Sequence, residues 1–329
     1  MFFYLPLVCC AYSDWLRTMP KIIRGLHNLP SSPTGCVATI GNFDGVHLGH
    51  QAVLTQLAMK GDMMGLPAVV ITFEPQPFEY FVPDKAPARL TRFREKVEAL
   101  RAYSIQQLCV LRFNKMLAEM SAEAFIRTLL VEGLNVRYLV VGDDFRFGYQ
   151  RKGDFAMLQE AGREFGFQVV NMHTFAIDHA RVSSTRIRNA LRDGELDMAE
   201  RLLGRPYRMS GRVAHGDKRG RQLGFPTANI HVHRCKIPLK GVFAVQLFGL
   251  EEEPVNGVAN IGMRPTIGAD KALLEVHLFD FNQNIYGKHV QVYFLHKIRD
   301  EQQFDGLEAL KAQIEQDSAK AHAYFAETH

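Results

Sequence analysis

Through the first two thirds of the chain, short apolar runs alternate with stretches whose apolar residues recur at helical spacing. Residues 37–40, 68–73, 108–113, 138–141 and 168–170 read as buried strands. Residues 122–130 and 155–162 read as amphipathic helices, and Val53, Leu54, Leu57 and Ala58 mark the inward side of another. Strand and helix in alternation predict an α/β domain, a parallel sheet with helices on both faces. Past Gly204-Arg205-Pro206 the pattern changes. Short β-rich runs follow at 208–214, 241–248, 255–261, 273–279 and 290–294, separated by turns, which predicts an antiparallel barrel or sandwich. Residues 306–325 close the chain as a helix, with Leu307, Leu310, Ile314 and Ala321 in near-helical register.

The 329 residues suffice for two domains with separate cores. The expected division is an N-terminal extension over 1–20, an α/β domain over 21–204 and a β domain over 205–329. With 47% hydrophobic and 22% charged residues, the composition is that of an ordinary globular protein. A formal charge of +4 allows local basic patches for nucleotides without calling for nucleic acid. Cys9, Cys10, Cys36, Cys109 and Cys235 show no zinc or CxxC spacing and read as reduced thiols of a cytoplasmic protein. Residues 2–12 are mostly apolar but too short to span a bilayer. No Lys or Arg precedes them, so they lack the basic start of a secretory signal. They read either as a buried or frayed extension or as the result of an upstream start codon chosen in error, with the true beginning at Met19, the second reading being preferred.

The junction after the first run is Gly41-Asn42-Phe43-Asp44-Gly45-Val46-His47-Leu48-Gly49-His50. A strand ends there in a turn of Gly, Asn and Asp, and a helix begins. The unpaired N–H groups at a helix N-terminus attract phosphate. Gly41, Gly45 and Gly49 let the backbone approach such a group. His47 and His50 can point the same way and hold the oxygens of a phosphoryl centre as charge builds. A capped helix with two polar surface histidines is the plain structural alternative.

The other polar clusters of this half follow apolar runs, where parallel sheets bind ligands. Glu74-Pro75-Gln76-Pro77 is a turn stiffened by proline. In the loop 142–148, Asp143 can bind a ribose hydroxyl. Phe145 and Phe147 can pack on a ring, or staple the loop to the core. Ser183, Ser184 and Thr185 open another helix, with Ser184 a natural N-cap. Arg186 and Arg188 there can neutralise a leaving polyphosphate.

In the second half, residues 211–229 hold four glycines and four basic residues, without a Walker A pattern. They suit a loop that covers phosphates, or a flexible basic surface. Thr227 and Asn229 face one side of an extended segment, and their oxygens suit Mg²⁺ beside nucleotide phosphates. Glu275 and His277 share a strand face. If that face lines a pocket, Glu275 can take a proton from an attacking hydroxyl; if it faces water, Glu275 is a solvated strand residue.

The ordered motifs GNFDGVHLGH, FEPQP, GDDFRFG, SSTRIR, GDKRGRQLGFPTANI, GVANIGMRPT and LEVHLFDF, followed by Arg299-Asp300-Glu301-Gln302-Gln303-Phe304, resemble the bacterial bifunctional riboflavin kinase/FMN adenylyltransferases. The resemblance runs from about Ile22 to the C-terminus; the extension departs from it, and Val182 stands where the family more often has isoleucine, a small change of volume. It implies a Rossmann-like nucleotidyltransferase domain followed by a six-stranded antiparallel β-barrel kinase domain with a C-terminal helix. The barrel would move the ATP γ-phosphoryl group to the terminal ribityl hydroxyl of riboflavin. The first domain would move AMP from a second ATP onto FMN, giving FAD and pyrophosphate.

By the same resemblance, His47 and His50 stabilise the α-phosphoryl transition state, and Gly41, Asn42, Phe43 and Asp44 flank it. Asp143, Phe145 and Arg146 bind ATP or flavin. So do Ser184, Thr185, Arg186 and Arg188, where relatives carry a KMSKS-like loop. Thr227 and Asn229 hold Mg²⁺-ATP, and Glu275 is the general base. Gly211, Gly216, Lys218, Gly224, Pro226, Asn260 and Arg264 bind ATP or flavin, and Arg299 lies where the family contacts flavin. The implied partners are riboflavin, FMN and ATP, with Mg²⁺ as cofactor, no nucleic acid or membrane, and a monomer or weak homo-oligomer. An aminoacyl-tRNA synthetase would need a lysine-rich KMSKS-like loop and a tRNA-binding domain, and neither is apparent. A flavin carrier would have no use for this intact residue set. An RNA-binding barrel would need a series of stacking aromatics, which is not evident.

Overall fold

The computed structural model describes residues 19–29, 34–142, 144–172, 175–215, 224–264 and 271–328. Residues 1–18 of the expected extension lie outside them, as do Asp143, Gly216 and Lys218. The chain divides into two compact units. One holds the described residues up to Ala86 and from Phe93 to Val182; the other holds Pro87–Arg92 and everything from Ser183 onward.

The first unit is a six-stranded sheet. Its strands are β1 (Lys21–Arg24), β2 (Cys36–Ile40), β3 (Ala68–Phe73), β4 (Gln107–Leu111), β5 (Val136–Gly142) and β6 (Gln168–Met172), in the order β1-β4-β3-β2-β5-β6. Every pairing is parallel. β2 and β3 are buried along their whole length, which is why they read as unbroken apolar runs. Val37, Val70, Leu108 and Val140 point to one face of the sheet, packing with Leu54 and Leu57 of α1 (Leu48–Met64). Ala38, Ile71, Cys109 and Leu139 point to the other, packing with Phe125, Leu129 and Leu158. The expected helix at 122–130 is a short α-helix, Ala122–Phe125, continued by a π-helical stretch, Ile126–Gly133. The pattern reading missed β1, an edge strand in which only Ile23 is buried. From β2 the chain proceeds outward through β3 and β4 on one side and through β5 and β6 on the other. The switch point therefore falls between β2 and β5, where such sheets bind ligands.

The second unit opens with two helices, Ser184–Asp193 and Leu196–Leu203. Six antiparallel strands follow: β9 (Tyr207–Ala214), β10 (Thr227–His231), β11 (Gly241–Phe248), β12 (Val255–Arg264), β13 (Lys271–Leu278) and β14 (His289–Arg299). Between the two groups of strands, β7 (Ala176–Ile177) and β8 (Ala180–Arg181) form a small hairpin of the first unit. Strands β9 to β14 close into a barrel in the order β10-β13-β12-β11-β14-β9, so the barrel holds and the sandwich does not. Phe243, Val245, Leu274, Val276, Val292 and Phe294 are all buried within it. The C-terminal helix, Leu307–Thr328, lays Ala321 and Phe325 against Val242, Ala244 and Val258 on the outside. Pro87–Arg92 joins this unit by backbone anchoring. Tyr207 Oη donates to Leu90 O at 3.1 Å, and Arg188 Nε to Ala88 O at 2.6 Å. Among the described residues, no helix is long and apolar enough to cross a membrane.

Leu57 is fully buried between α1 and the sheet. Leu57→Ala should lower stability by about 2–5 kcal/mol, read from urea denaturation of the full chain. A loss below about 1 kcal/mol would remove Leu57 from the load of that core.

Candidate active sites

The loop from β2 to α1 is forced into an unusual path. Phe43 (φ 48°), Gly45 (φ 85°) and Val46 (φ 43°) all take left-handed conformations. Phe and Val adopt these only under restraint. The restraint is burial, since Phe43 is 2% exposed and Val46 0%. The path delivers His47 to the N-cap of α1, where its Nδ1 accepts the His50 backbone N–H at 3.2 Å. An accepting Nδ1 is unprotonated, so the His47 proton resides on Nε2. The two imidazoles stack with centroids 3.6 Å apart and planes 14° from parallel, and the Phe43 ring lies 5.0 Å from His50. His50 Nδ1 is buried and lacks a hydrogen-bond partner among the described residues. Burial, then the charges of His47, Lys96 and Arg181, holds His50 well below the ordinary imidazole value. The pair is thus a stacked, pre-set arrangement at the sheet's switch point, with His50 held towards its neutral form.

Asn42 and Asp44 share this loop: Asn42 is exposed, Asp44 is 2% exposed, and Gly41 lies against the Phe43 ring. Two groups here escaped the sequence reading. Lys96, on the helix Phe93–Arg101, is fully buried and donates to Thr72 Oγ1 at 3.4 Å. Its signal was available, because Lys96 occupies the apolar stripe of Phe93, Val97 and Leu100. Arg181 makes two 2.9 Å hydrogen bonds to the Asp144 carboxylate and holds it below the usual carboxylate range. Both partners are half exposed, so this pair contributes little stability. In the same loop, Phe147 is the staple: it is 6% exposed, packs on Phe125 and carries Phe145 stacked upon it. Arg146 is exposed and donates to the Phe145 carbonyl.

Ser184, Thr185, Arg186 and Arg188 occupy the first turns of their helix in the second unit. The N-cap is Ser183, not Ser184: Ser183 Oγ accepts Arg186 N–H at 3.3 Å. The cap sits one residue earlier because Ser183 is extended (φ −147°) and Ser184 is already helical.

On the barrel, hydrogen-bond register gathers the expected kinase residues. Asn229 pairs with Glu275, Glu275 with Asn260, Asn260 with Val242, and Val242 with Arg299. These positions form one row across β10, β13, β12, β11 and β14. Glu275 lies between buried Leu274 and Val276, and Asn229 beside buried Ile230, so both face outward from the barrel. Thr227, two residues before Asn229, pairs with His277, whose Nδ1 donates to Pro226 O at 3.0 Å. Further along the same outer face, a cavity of about 350 Å³ opens beside Phe279, which stacks on His322 at 3.9 Å. Gly211 has a structural reason to be glycine: a Cβ would press on His231 O of β10 at 2.5 Å. Gly224 is a turn residue with φ 88°. Arg264 ends β12.

His50 also sets a pH dependence. Its folded value lies below the unfolded 6.5, so the unfolded chain binds the extra proton first. This contribution to stability is present above pH 6.5 and is lost as the pH falls from there through the folded value. Thermal melting between pH 8 and 5, about that window, should show a smaller acid loss for His50→Gln than for the native chain. Identical slopes would contradict the burial of a neutral His50.

Two family models match the chain: FAD synthetase over residues 29–186 and riboflavin kinase over residues 203–325. The bifunctional riboflavin kinase/FMN adenylyltransferase of Escherichia coli K12 is 52% identical over 306 residues, 93% of this chain and 98% of that one. Its namesake from Haemophilus influenzae is 52% identical over 305 residues, covering 93% and 99%, and that from Pseudomonas fluorescens 50% over 304, covering 92% and 97%. A solved structure described as a macrolide-efflux protein from Streptococcus pneumoniae superposes with a TM-score of 0.76 at 30% identity, covering 91% of this chain and 97% of that one. Identity at about half of all positions, sustained across both units, makes the assignment: the chain belongs to the bifunctional riboflavin kinase/FMN adenylyltransferase family, enzymes that produce FMN and FAD.

Proposed function

We propose that the chain performs its family's two reactions at two separate ATP sites, adenylyl transfer within 21–204 and riboflavin phosphorylation within 205–329. The extents of the two matching family models support that division. The observation that carries the proposal is Glu275 in register between Asn229 and Asn260, on a barrel face remote in sequence from the stacked histidines.

The two steps use different nucleophiles. The ribityl hydroxyl of riboflavin is neutral, so a base beside it is useful. Glu275 takes the hydroxyl proton as the oxygen attacks the γ-phosphorus and ADP leaves. The phosphate of FMN is already anionic, so no base is required. There, His47 and His50 donate hydrogen bonds to the α-phosphoryl oxygens as that phosphate attacks and pyrophosphate leaves. Positioning and charge neutralisation do the rest at both sites.

Mg²⁺ fits the barrel row. Thr227 hydroxyl and Asn229 amide, two apart on β10, offer oxygen donors of the kind Mg²⁺ takes. Among the described residues no three His, Cys, Asp or Glu side chains gather as a metal cluster. A cation held by Thr227 and Asn229 would take its other ligands from phosphate and water, and would neutralise the transferred group's charge. The reading also includes a cytoplasmic enzyme acting on small molecules as a monomer or weak homo-oligomer. Five cysteines without disulfide or zinc spacing support the compartment.

Glu275→Gln should lower FMN formation by about 10²-fold or more while supplied FMN is still converted to FAD. Equal loss of both steps in a folded protein would count against separate sites. His50→Ala should do the reverse, lowering FAD formation about 10²-fold so that FMN accumulates on chromatography. Asn229→Ala should raise the Mg²⁺ concentration for half-maximal FMN formation, and an unchanged Mg²⁺ titration would remove Asn229 from the metal site.

A further inference from the structure

The C-terminal helix carries a carboxylate where its apolar stripe predicts a hydrophobic residue. Asp317 falls between Ile314 and Ala321 of that stripe, and its side chain is 4% exposed. Burying a carboxylate is costly unless it is paired and hydrogen-bonded. Here the pairing is complete. Arg299 Nε reaches both Asp317 oxygens, at 3.0 and 2.9 Å, and Arg299 Nη2 reaches Oδ2 at 2.8 Å. Gln313 Nε2 adds a bond to Oδ1 at 2.9 Å. Arg299 Nη1 donates to Asp300 O at 2.8 Å, and the Phe304 ring lies 5.5 Å from the guanidinium carbon. The guanidinium is therefore fixed in plane and position. Of its five N–H groups, two lack an acceptor among the described residues.

A buried ion pair is a poor device for stability alone, since apolar residues of similar volume serve as well. What this pair secures is location. Arg299 ends the row that begins at Asn229, three strand spacings from Glu275, or roughly 14 Å at ~4.8 Å per strand. That is comparable to the length of a ribityl chain with its ring system. The segment leaving Arg299 folds back over β12, because a Cβ on Gly262 would run into the Glu301 carboxylate. Gly262 is two residues from Asn260 on the same strand face.

We propose that Asp317 is a positioning residue for the kinase reaction: it acts through Arg299, fixing the guanidinium and the 300–304 segment at the flavin end of the row. This rests on the reading that Arg299 faces flavin, so the test separates the two. In the full-length protein, Asp317→Asn should raise the KM for riboflavin about tenfold with a smaller change in kcat, and leave conversion of supplied FMN to FAD within about twofold. Asp317→Glu should recover most of the riboflavin KM. In an Arg299→Ala background, Asp317→Asn should have no further effect. If Arg299→Ala raises the riboflavin KM and Asp317→Asn does not, the positioning role is overturned while the flavin contact stands. If Arg299→Ala leaves that KM unchanged, the flavin contact itself fails and the proposal with it. Parallel loss of both half-reactions and of thermal stability, with Asp317→Glu no better, would assign Asp317 to folding alone and overturn the inference.

Discussion

Backbone hydrogen-bond register is the constraint from which the chemistry of this protein follows. In the barrel it aligns Asn229, Glu275, Asn260 and Arg299, four residues from four strands, on one outward row. None is near another in sequence except by this pairing. A slip of one residue in β13 would turn Glu275 into the barrel and Leu274 out to solvent. The buried set Leu274, Val276 and Leu278 opposes that slip, so the packing of the barrel interior holds the carboxylate on the outer face. Core and site are two faces of the same strands.

The parallel sheet solves its problem differently. Its central strands β2 and β3 are buried on both faces and have no side free for a ligand. Chemistry moves to the loops at the strand ends, and the best loop is at the switch point beside β2 and β5. There the restraint comes from strain held by burial: Phe43 and Val46 keep left-handed backbones because their side chains are locked in the core. The result is a stacked imidazole pair rather than two separate surface histidines.

Both units place a charge where the helical pattern demands an apolar residue. Lys96 does so beside the histidines, and Asp317 does so behind Arg299. Each is close to fully buried and each is held by polar partners. Such positions weaken the core, so their presence marks a demand other than stability.

By itself the sequence determined the alternation of strand and helix, the change of class near Gly204, the buried runs of β2 and β3, and the motifs that carry the family. These are local properties: period, turn chemistry and short strings of residues. It did not determine β1, whose single buried residue leaves no pattern, or the π-helical turn at Ile126–Gly133, whose apolar spacing resembles that of an α-helix. It left open whether Phe147 met a ligand or the core, and only packing on Phe125 decided for the core. It marked Ser184 as the cap, where backbone geometry selected Ser183. Above all, it left Glu275 poised between a solvated strand residue and a base. Period two fixes which neighbours share a face, but only the pairing of β13 with β10 and β12 brings Asn229 and Asn260 to its sides, because register between distant strands is set by the closed barrel and not by any one of them.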